Sequence, residues 1–226
     1  MKRVVISLGG SIIIPDKVNI NFLEKFRFLL QKQSKSRRFV VVCGGGSVAR
    51  TYITALEAEG ESRKERALAG MRVTRMNALL VMQFFGKEAN DILPRTMKEV
   101  RDYLRKNNIV LCGALRYEKN ATSDTTAARL AHYFNAEFIN MTNVLGLYTD
   151  NPKKNKNATL IKKISWGEFA VMASKIHYKP GQHFILDTNA AETIKRYRIK
   201  SYIIGPNLDN LEKLLEGKRF KGTTIS

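Results

Sequence analysis

The chain is poor in cysteine, in histidine, in acidic residues and in long apolar runs, and each shortage removes a class of function. It has two cysteines in 226 residues, Cys43 and Cys112. Each ends an apolar, strand-like run, so both are expected as small buried hydrophobes and not as a disulfide or a reactive site. His132, His177 and His183 share no ligand spacing with one another or with cysteine, which leaves no metal motif. No apolar stretch reaches the roughly 18–20 residues that span a bilayer. The opening MKRVVISLGGSIII is basic and then apolar, but Gly9-Gly10-Ser11 interrupts it and no small-residue cleavage site follows. A secretory leader is therefore not expected, and a cytoplasmic location is. The fingerprints G-x-x-x-x-G-K-[ST] and G-x-G-x-x-G are both missing, so the common phosphate-loop and dinucleotide folds have no support. There is no internal repeat, linker or low-complexity tract; the polar stretch 151–159 reads as a loop, and one domain over 1–226 is expected.

Acidic residues number 20 against 39 lysines and arginines, a formal net charge of +19. Such an excess favours polyanionic partners. The charges are dispersed, however, and the clusters at Lys195-Arg196, Arg198 and Lys200 and in KNKNATLIKK lack a stacking pattern of aromatics. Solvated charge is the first reading and nucleic-acid binding is not expected.

What is present is a regular alternation. Short β-branched or apolar runs at 4–8, 39–43, 108–112, 137–142, 200–205 and 222–226 read as strands. Helical periodicity fills 21–33 (Asn21 as cap), 47–59, 62–86, 96–107, 123–135, 165–175, 187–197 and 208–217. Strands alternating with helices predict an α/β fold: a three-layer αβα sandwich on a mainly parallel sheet.

Ligands of open parallel sheets bind beyond the carboxyl ends of the strands. Three runs of small residues fall there: SLGGS (7–11), CGGGSVAR (43–50) and CGALRYEKNATSD (112–124). Free backbone N–H groups and a helix dipole make such turns fit for phosphate, and glycine lets the anion approach the backbone. A tight turn is the competing reading of any one of them; three in one α/β chain favour phosphate chemistry.

GGS near the start, VVVCGGGSVAR, SDTTAA at 123–128 and TNVLGLYTDNP at 142–152 together resemble the amino-acid kinase superfamily. TRMNALL (74–80), ILDTNAAETIKRYRIKSYIIG (185–205) and the terminal GTTIS are similar to its archaeal-type uridylate kinases. The resemblance covers essentially the whole chain. It implies the amino-acid kinase fold, with an acceptor-binding part over about 1–135 and an ATP-binding part over about 136–226. It implies ATP with Mg²⁺ as the donor, the metal carried by ATP and not by the protein. It implies UMP as acceptor, UDP as product in pyrimidine nucleotide synthesis, and a homohexamer built from dimers. Carried over by position, Gly9, Gly10, Ser11, Gly46 and Arg50 would contact the donor phosphates, and Thr142, Asn143, Tyr148 and Asn151 the rest of ATP. Gly44, Gly45, Gly113, Ala114, Thr122 and Ser123 would surround the acceptor. Arg50, one turn into its helix, would add a fork of donors, against the alternative of a surface arginine; Asp124 would hold the acceptor end in register.

Departures from the family pattern concern the substrate more than the fold. No lysine precedes Gly9-Gly10, where Ile6-Ser7-Leu8 stands; Mg²⁺, Arg50, Lys162 or Lys163 would supply the charge. Ala67 occupies the place of an acceptor-binding aspartate, with Glu61 and Glu65 as possible substitutes. The third turn is long, and its Arg116 and Lys119 read equally as phosphate grips or solvated charges. Leu145 stands where the family has aspartate. Two alternatives follow: a same-fold kinase of isopentenyl phosphate, carbamate or an acyl amino acid, and a non-catalytic nucleotide sensor. No histidine falls between residues 1 and 131, which argues against isopentenyl phosphate.

Overall fold

A computed structural model describes residues 1–150, 152, 155–175 and 186–226. Its centre is the pair of strands that the sequence makes most apolar. In β1 (Lys2–Leu8) and β2 (Arg37–Cys43) the last five residues are all buried, because helices cover both faces of the sheet. They pair in parallel, and β3 (Ile109–Cys112) adds to β2. The chain then crosses to the other side of β1, where β4 (Glu137–Met141) pairs with it in parallel. Beyond lie β6 (Ser201–Ile204), β7 (Thr223–Ile225) and the short β5 (Lys163–Ile164), giving the order β3-β2-β1-β4-β6-β7-β5. Among the paired strands of the described residues, the β6–β7 pair is the antiparallel one. The order of strand addition reverses between the parallel β1 and β4, the place where an open sheet forms a crevice.

One face is packed by α2 (Ile20–Gln33), α4 (Arg63–Phe85) and α9 (Leu208–Leu215) against Val4, Ile6, Leu8, Val41 and Ile139. The other is packed by α5 (Met97–Lys106), α6 (Ser123–Tyr133), α7 (Trp166–Ser174) and α8 (Thr188–Arg196) against Val5, Val40, Val42 and Phe138. The expected three-layer α/β sandwich is thus observed. α3 (Gly46–Ala58) packs on α4 instead of the sheet, and Ala49 is its one buried residue.

Several boundaries differ from expectation. The first long helix begins at Ile20 and is capped by Asn19, whose side chain accepts from the Phe22 N–H, so Asn21 lies inside it. The helix at SDTTAA is capped by Thr122, whose side chain accepts from the Asp124 N–H. A four-residue helix, α1 (Gly10–Ile13), winds out of the first glycine turn. It and β5 are too short to leave a periodic signal. Cys43 and Cys112 are free and fully buried. Burial raises the Cys43 thiol well above its usual value and pushes Cys112 up to about 12, so both are inert.

Candidate active site

The three small-residue turns meet at the carboxyl ends of β1, β2, β3 and β4. The first two are stitched to the sheet and to each other. Gly9 N–H donates to the Met141 carbonyl at 2.9 Å, and Gly44 N–H to the Leu8 carbonyl at 2.8 Å. A Cβ on Gly10 would lie 2.2 Å from the Gly46 nitrogen, so the two backbones are in contact. Gly46 also holds φ +63°, a region costly for other residues. Packing of turn on turn is therefore a first cause of Gly44-Gly45-Gly46, beside any contact with an anion.

One cleft covers this end of the sheet. Gly9, Gly10 and Ser11 enter it from the first turn, and Gly44, Gly45, Gly46 and Arg50 from the second turn and α3. Ala114, Thr122, Ser123 and Asp124 come from the third turn and the start of α6, and Thr142 and Asn143 from the end of β4. Gly113 and Tyr148 do not line it. The Cα of Gly113 sits against the α4 backbone, where a Cβ would be 2.6 Å from the Arg75 nitrogen, so it is a packing glycine. Tyr148 is drawn aside by a β-bridge to Leu160. Asn151 lies outside the described residues. Ala67 and Arg116 line the cleft, whereas Glu61, Glu65, Lys119, Lys162 and Lys163 do not.

The TRMN segment of α4 holds two of the turns. Asn77 Nδ2 donates to the Gly44 carbonyl at 2.7 Å. Thr74 Oγ1 accepts from the Ala114 N–H at 2.9 Å. Arg75 clamps the next two carbonyls, of Ala114 at 3.0 Å and Leu115 at 2.5 Å. The long third loop is tied down further by the Glu118–Arg129 ion pair and by Asn189, which donates to the Lys119 and Asn120 carbonyls.

A polar floor lies under the cleft. Ser7 and Asn140 are register partners on β1 and β4, buried polar residues in otherwise apolar strands. Ser7 Oγ donates to Asp124 Oδ1 at 2.5 Å, and Asn140 Nδ2 donates to the same oxygen at 3.1 Å. Asn140 Oδ1 is buried without a hydrogen-bond partner, leaving an acceptor for whatever fills the space. Asp187 caps α8, accepting from Ala190 N–H at 2.9 Å, and bridges to α6 through Thr122 Oγ1 (2.5 Å), Thr125 Oγ1 (2.6 Å) and Thr125 N–H (3.2 Å). Burial, and then the charge of Asp187, raise the Asp124 carboxyl to about 7; its bonds from Ser7 and Asn140 pull the other way. Ser7, Asn140 and Asp187 were not among the expected site residues. A polar residue inside VVISL and EFINM was the signal for the first two, and a capping aspartate before TNAAE for the third.

Three helices of more than four residues, α3, α6 and α8, face this cleft with their N-termini. Two already carry a carboxylate: Asp124 in the first turn of α6 and Asp187 capping α8. The third, α3, has no acidic residue in its first turn and no side-chain cap. Its first N–H groups lack intrahelical partners and keep their positive potential. Arg50 stands one turn in, half-buried, with no acidic partner among the described residues; burial lowers its affinity for the proton without uncharging it. The geometry thus offers an anion a cationic end at α3 and the first two turns. Asp124 lies in the floor beside the first turn, bonded to Ser7 two residues before Gly9. Among the described residues, no three His, Cys, Asp or Glu side chains gather as a metal site.

The profile of the Amino acid kinase family matches residues 2–205. Uridylate kinases of Thermococcus onnurineus and Pyrococcus abyssi are 31% and 32% identical to the chain, over 99% of each partner. The crystal structure of uridylate kinase from Archaeoglobus fulgidus superposes with a TM-score of 0.86 at 30% identity over the whole of both chains. An isopentenyl phosphate kinase structure, at 19% identity and TM-score 0.72, shares the fold. With its parallel sheet, its two abutting glycine turns and a profile match over most of its length, the chain belongs to the amino acid kinase family.

Proposed function

We propose that this protein transfers the γ-phosphoryl group of ATP to UMP, giving ADP and UDP. The observation that carries the reading is a coincidence of two facts. The chain is similar along its whole length to archaeal proteins named uridylate kinase, and its cleft presents two abutting glycine turns, the uncapped N-terminus of α3 and Arg50 to an anion.

A phosphate oxygen of UMP attacks the γ-phosphorus in line, and the bond to the β–γ bridging oxygen breaks as ADP leaves. The protein's task is to align two polyanions and offset their charge. In this reading the N–H groups of Gly9, Gly10, Ser11 and Gly46 hold the donor phosphates. Arg50 forks onto the transferring group, replacing the lysine missing before Gly9. Thr142 and Asn143 receive the rest of ATP, in the 136–226 part. Gly44, Gly45, Ala114, Thr122 and Ser123 surround UMP, in the 1–135 part, and Arg116 is the phosphate grip on that side. Asp124 acts as a positioning residue that fixes the start of α6 against the strand ends. Mg²⁺ bound to the donor phosphates would neutralise part of their charge. We further propose a cytoplasmic homo-oligomer.

The test is ADP release with ATP, Mg²⁺ and UMP, CMP, AMP, GMP or isopentenyl phosphate as acceptor. Turnover confined to UMP is expected. Turnover with isopentenyl phosphate alone would reassign the substrate, and ATP binding without turnover on any acceptor would favour a sensor. Arg50→Gln is expected to lower kcat by roughly 10²–10³, the size of a lost transition-state donor, with little change in thermal stability. A kcat within threefold of the parent would remove Arg50 from the reaction.

A further inference from the structure

At the end of the sheet away from the cleft, β1 and β2 each enter on two basic residues, Lys2-Arg3 and Arg37-Arg38. Parallel register sets Lys2 beside Arg37 and Arg3 beside Arg38. The two pairs divide by face. Arg37 is satisfied on the α2/α9 side, donating to Gln33 Oε1 at 2.9 Å and to the Leu215 carbonyl. Arg3 and Arg38 lie on the opposite side, where α5 presents Arg101 and Arg105 one turn apart. With Leu104, Tyr133 and Phe134 these four arginines line a groove of about 310 Å³.

The local charge is not balanced by the protein. Arg3 spends one nitrogen on the Phe134 carbonyl, at 3.2 Å. Asp102 is the carboxylate in reach, 3.5 Å from both Arg101 Nε and Arg105 Nη1. The Arg38 side chain makes no hydrogen bond or ion pair with any described residue. The Nε of Arg38 is buried without a hydrogen-bond acceptor, and that of Arg101 has the long ion-pair contact to Asp102 in place of a hydrogen bond. Like charges paired across strands, and like charges four apart on a helix, are each unfavourable. A buried donor left unpaired adds to that cost. Four guanidinium groups from three elements, aimed into one concavity, amount to an unfilled set of anion-binding forks.

We propose that this groove is a second anion site, remote from the cleft, that takes the phosphate chain of a small polyphosphate-bearing molecule. Four arginines against one aspartate leave three positive charges in excess, more than a single phosphate dianion neutralises and suited to a di- or triphosphate. The groove is half-open and short, with Leu104, Tyr133 and Phe134 beside the arginines, and is not an extended basic stripe along which a nucleic-acid backbone runs.

Inorganic tripolyphosphate is the probe, and hydrogen exchange with and without it is the readout on the whole protein. Protection is expected at the amides that begin β1 and β2 and in α5, separately from any protection around residues 10–11 and 46–49. Arg38→Gln/Arg101→Gln is expected to weaken the groove protection at least tenfold and to leave that of the cleft, and the kinase assay, unchanged. Because the substitutions relieve repulsion, its melting temperature without anion should be no lower than the parent's. A charge-matched control, Lys25→Gln/Lys213→Gln, both exposed, should stay within twofold. Should the double variant not fold, Arg38→Lys, which keeps charge and loses the fork, is expected to weaken groove protection severalfold. The proposal is overturned by absence of groove protection at saturating tripolyphosphate, or by a control that loses as much as the groove variant. Protection of the same amides by an RNA oligomer at lower concentration would overturn the assignment to a small ligand.

Discussion

Asp124 carries a cost that its neighbours only partly offset. Its carboxyl binds a proton up to about pH 7 in the folded chain, against a reference value of 3.8. Between those values the folded state holds a proton that the unfolded state has released, so stability falls as pH rises through that window. One proton corresponds to at most about 1.4 kcal/mol per pH unit. Asp124→Asn removes the titrating group, so the parent-minus-variant difference in unfolding free energy should decline from pH 5 to pH 7 and level off above it. Urea unfolding at four pH values measures this, and a difference that stays flat across the range would contradict it. Gly10 makes the opposite kind of demand, for space. Gly10→Ala would place a methyl 2.2 Å from the Gly46 nitrogen, so the turns must part. We expect a loss of at least about 1–3 kcal/mol and loss of ATP binding, read by denaturation and by calorimetry. At this scale the sequence was half legible. GGS and GGG announced their turns, but the contact between them joins residues some 35 positions apart, and no local pattern reports a contact of that kind.

Helices α6 and α8 pack together in the core, and one side chain links them by hydrogen bonds. Asp187 accepts four hydrogen bonds, one as the α8 cap and three from Thr122 and Thr125 of α6. Asp187→Ala should cost about 2–4 kcal/mol, from a lost cap and from hydroxyl and amide donors left without their acceptor. Asp187→Asn keeps much of the shape and removes the charge. Since that charge is one cause of the raised Asp124 carboxyl, the variant should move the titration of Asp124 downward, visible by carbon-detected NMR of the carboxyl group. An unmoved titration would show that burial alone raises it. α4 has a comparable joining role, since Thr74, Arg75 and Asn77 hold the second and third turns together. Long elements were legible because their apolar periodicity or β-branched runs were unbroken. β7 was legible as a strand at 222–226, but its antiparallel direction was not, since GTTIS has no feature that specifies direction, and TRMN could be quoted as a resemblance without its hydrogen-bonding duty being visible.

The whole molecule combines a large positive charge with apolar surface that its own core does not use. Strand content was readable from the sequence, but the placement of β4 beside β1 was not, because it depends on which helix layers close over the sheet. That adjacency creates the floor of Ser7, Asn140 and Asp124, so the site was least legible where it relies on topology. The exposed surface of the α3/α4 pair poses a related question. On α4, Met76 is 66% and Leu79 40% exposed, three residues apart on one face, and Tyr52 of α3 is 57% exposed. Apolar side chains on a helix pair that packs away from the sheet suit a contact between copies of the chain. The net charge of +19 opposes that contact, and salt screens it over about 8–10 Å. Association through these residues should therefore strengthen as salt rises. Anion binding in the arginine groove should weaken over the same range. In sedimentation velocity we expect the parent to run as an oligomer whose fraction increases from 50 to 500 mM salt. Met76→Glu/Leu79→Glu should run as a 25.7 kDa monomer at both, with the far-UV circular dichroism of a folded chain. A variant as oligomeric as the parent would place the interface elsewhere, and an oligomer that dissociates with salt would make the contact electrostatic.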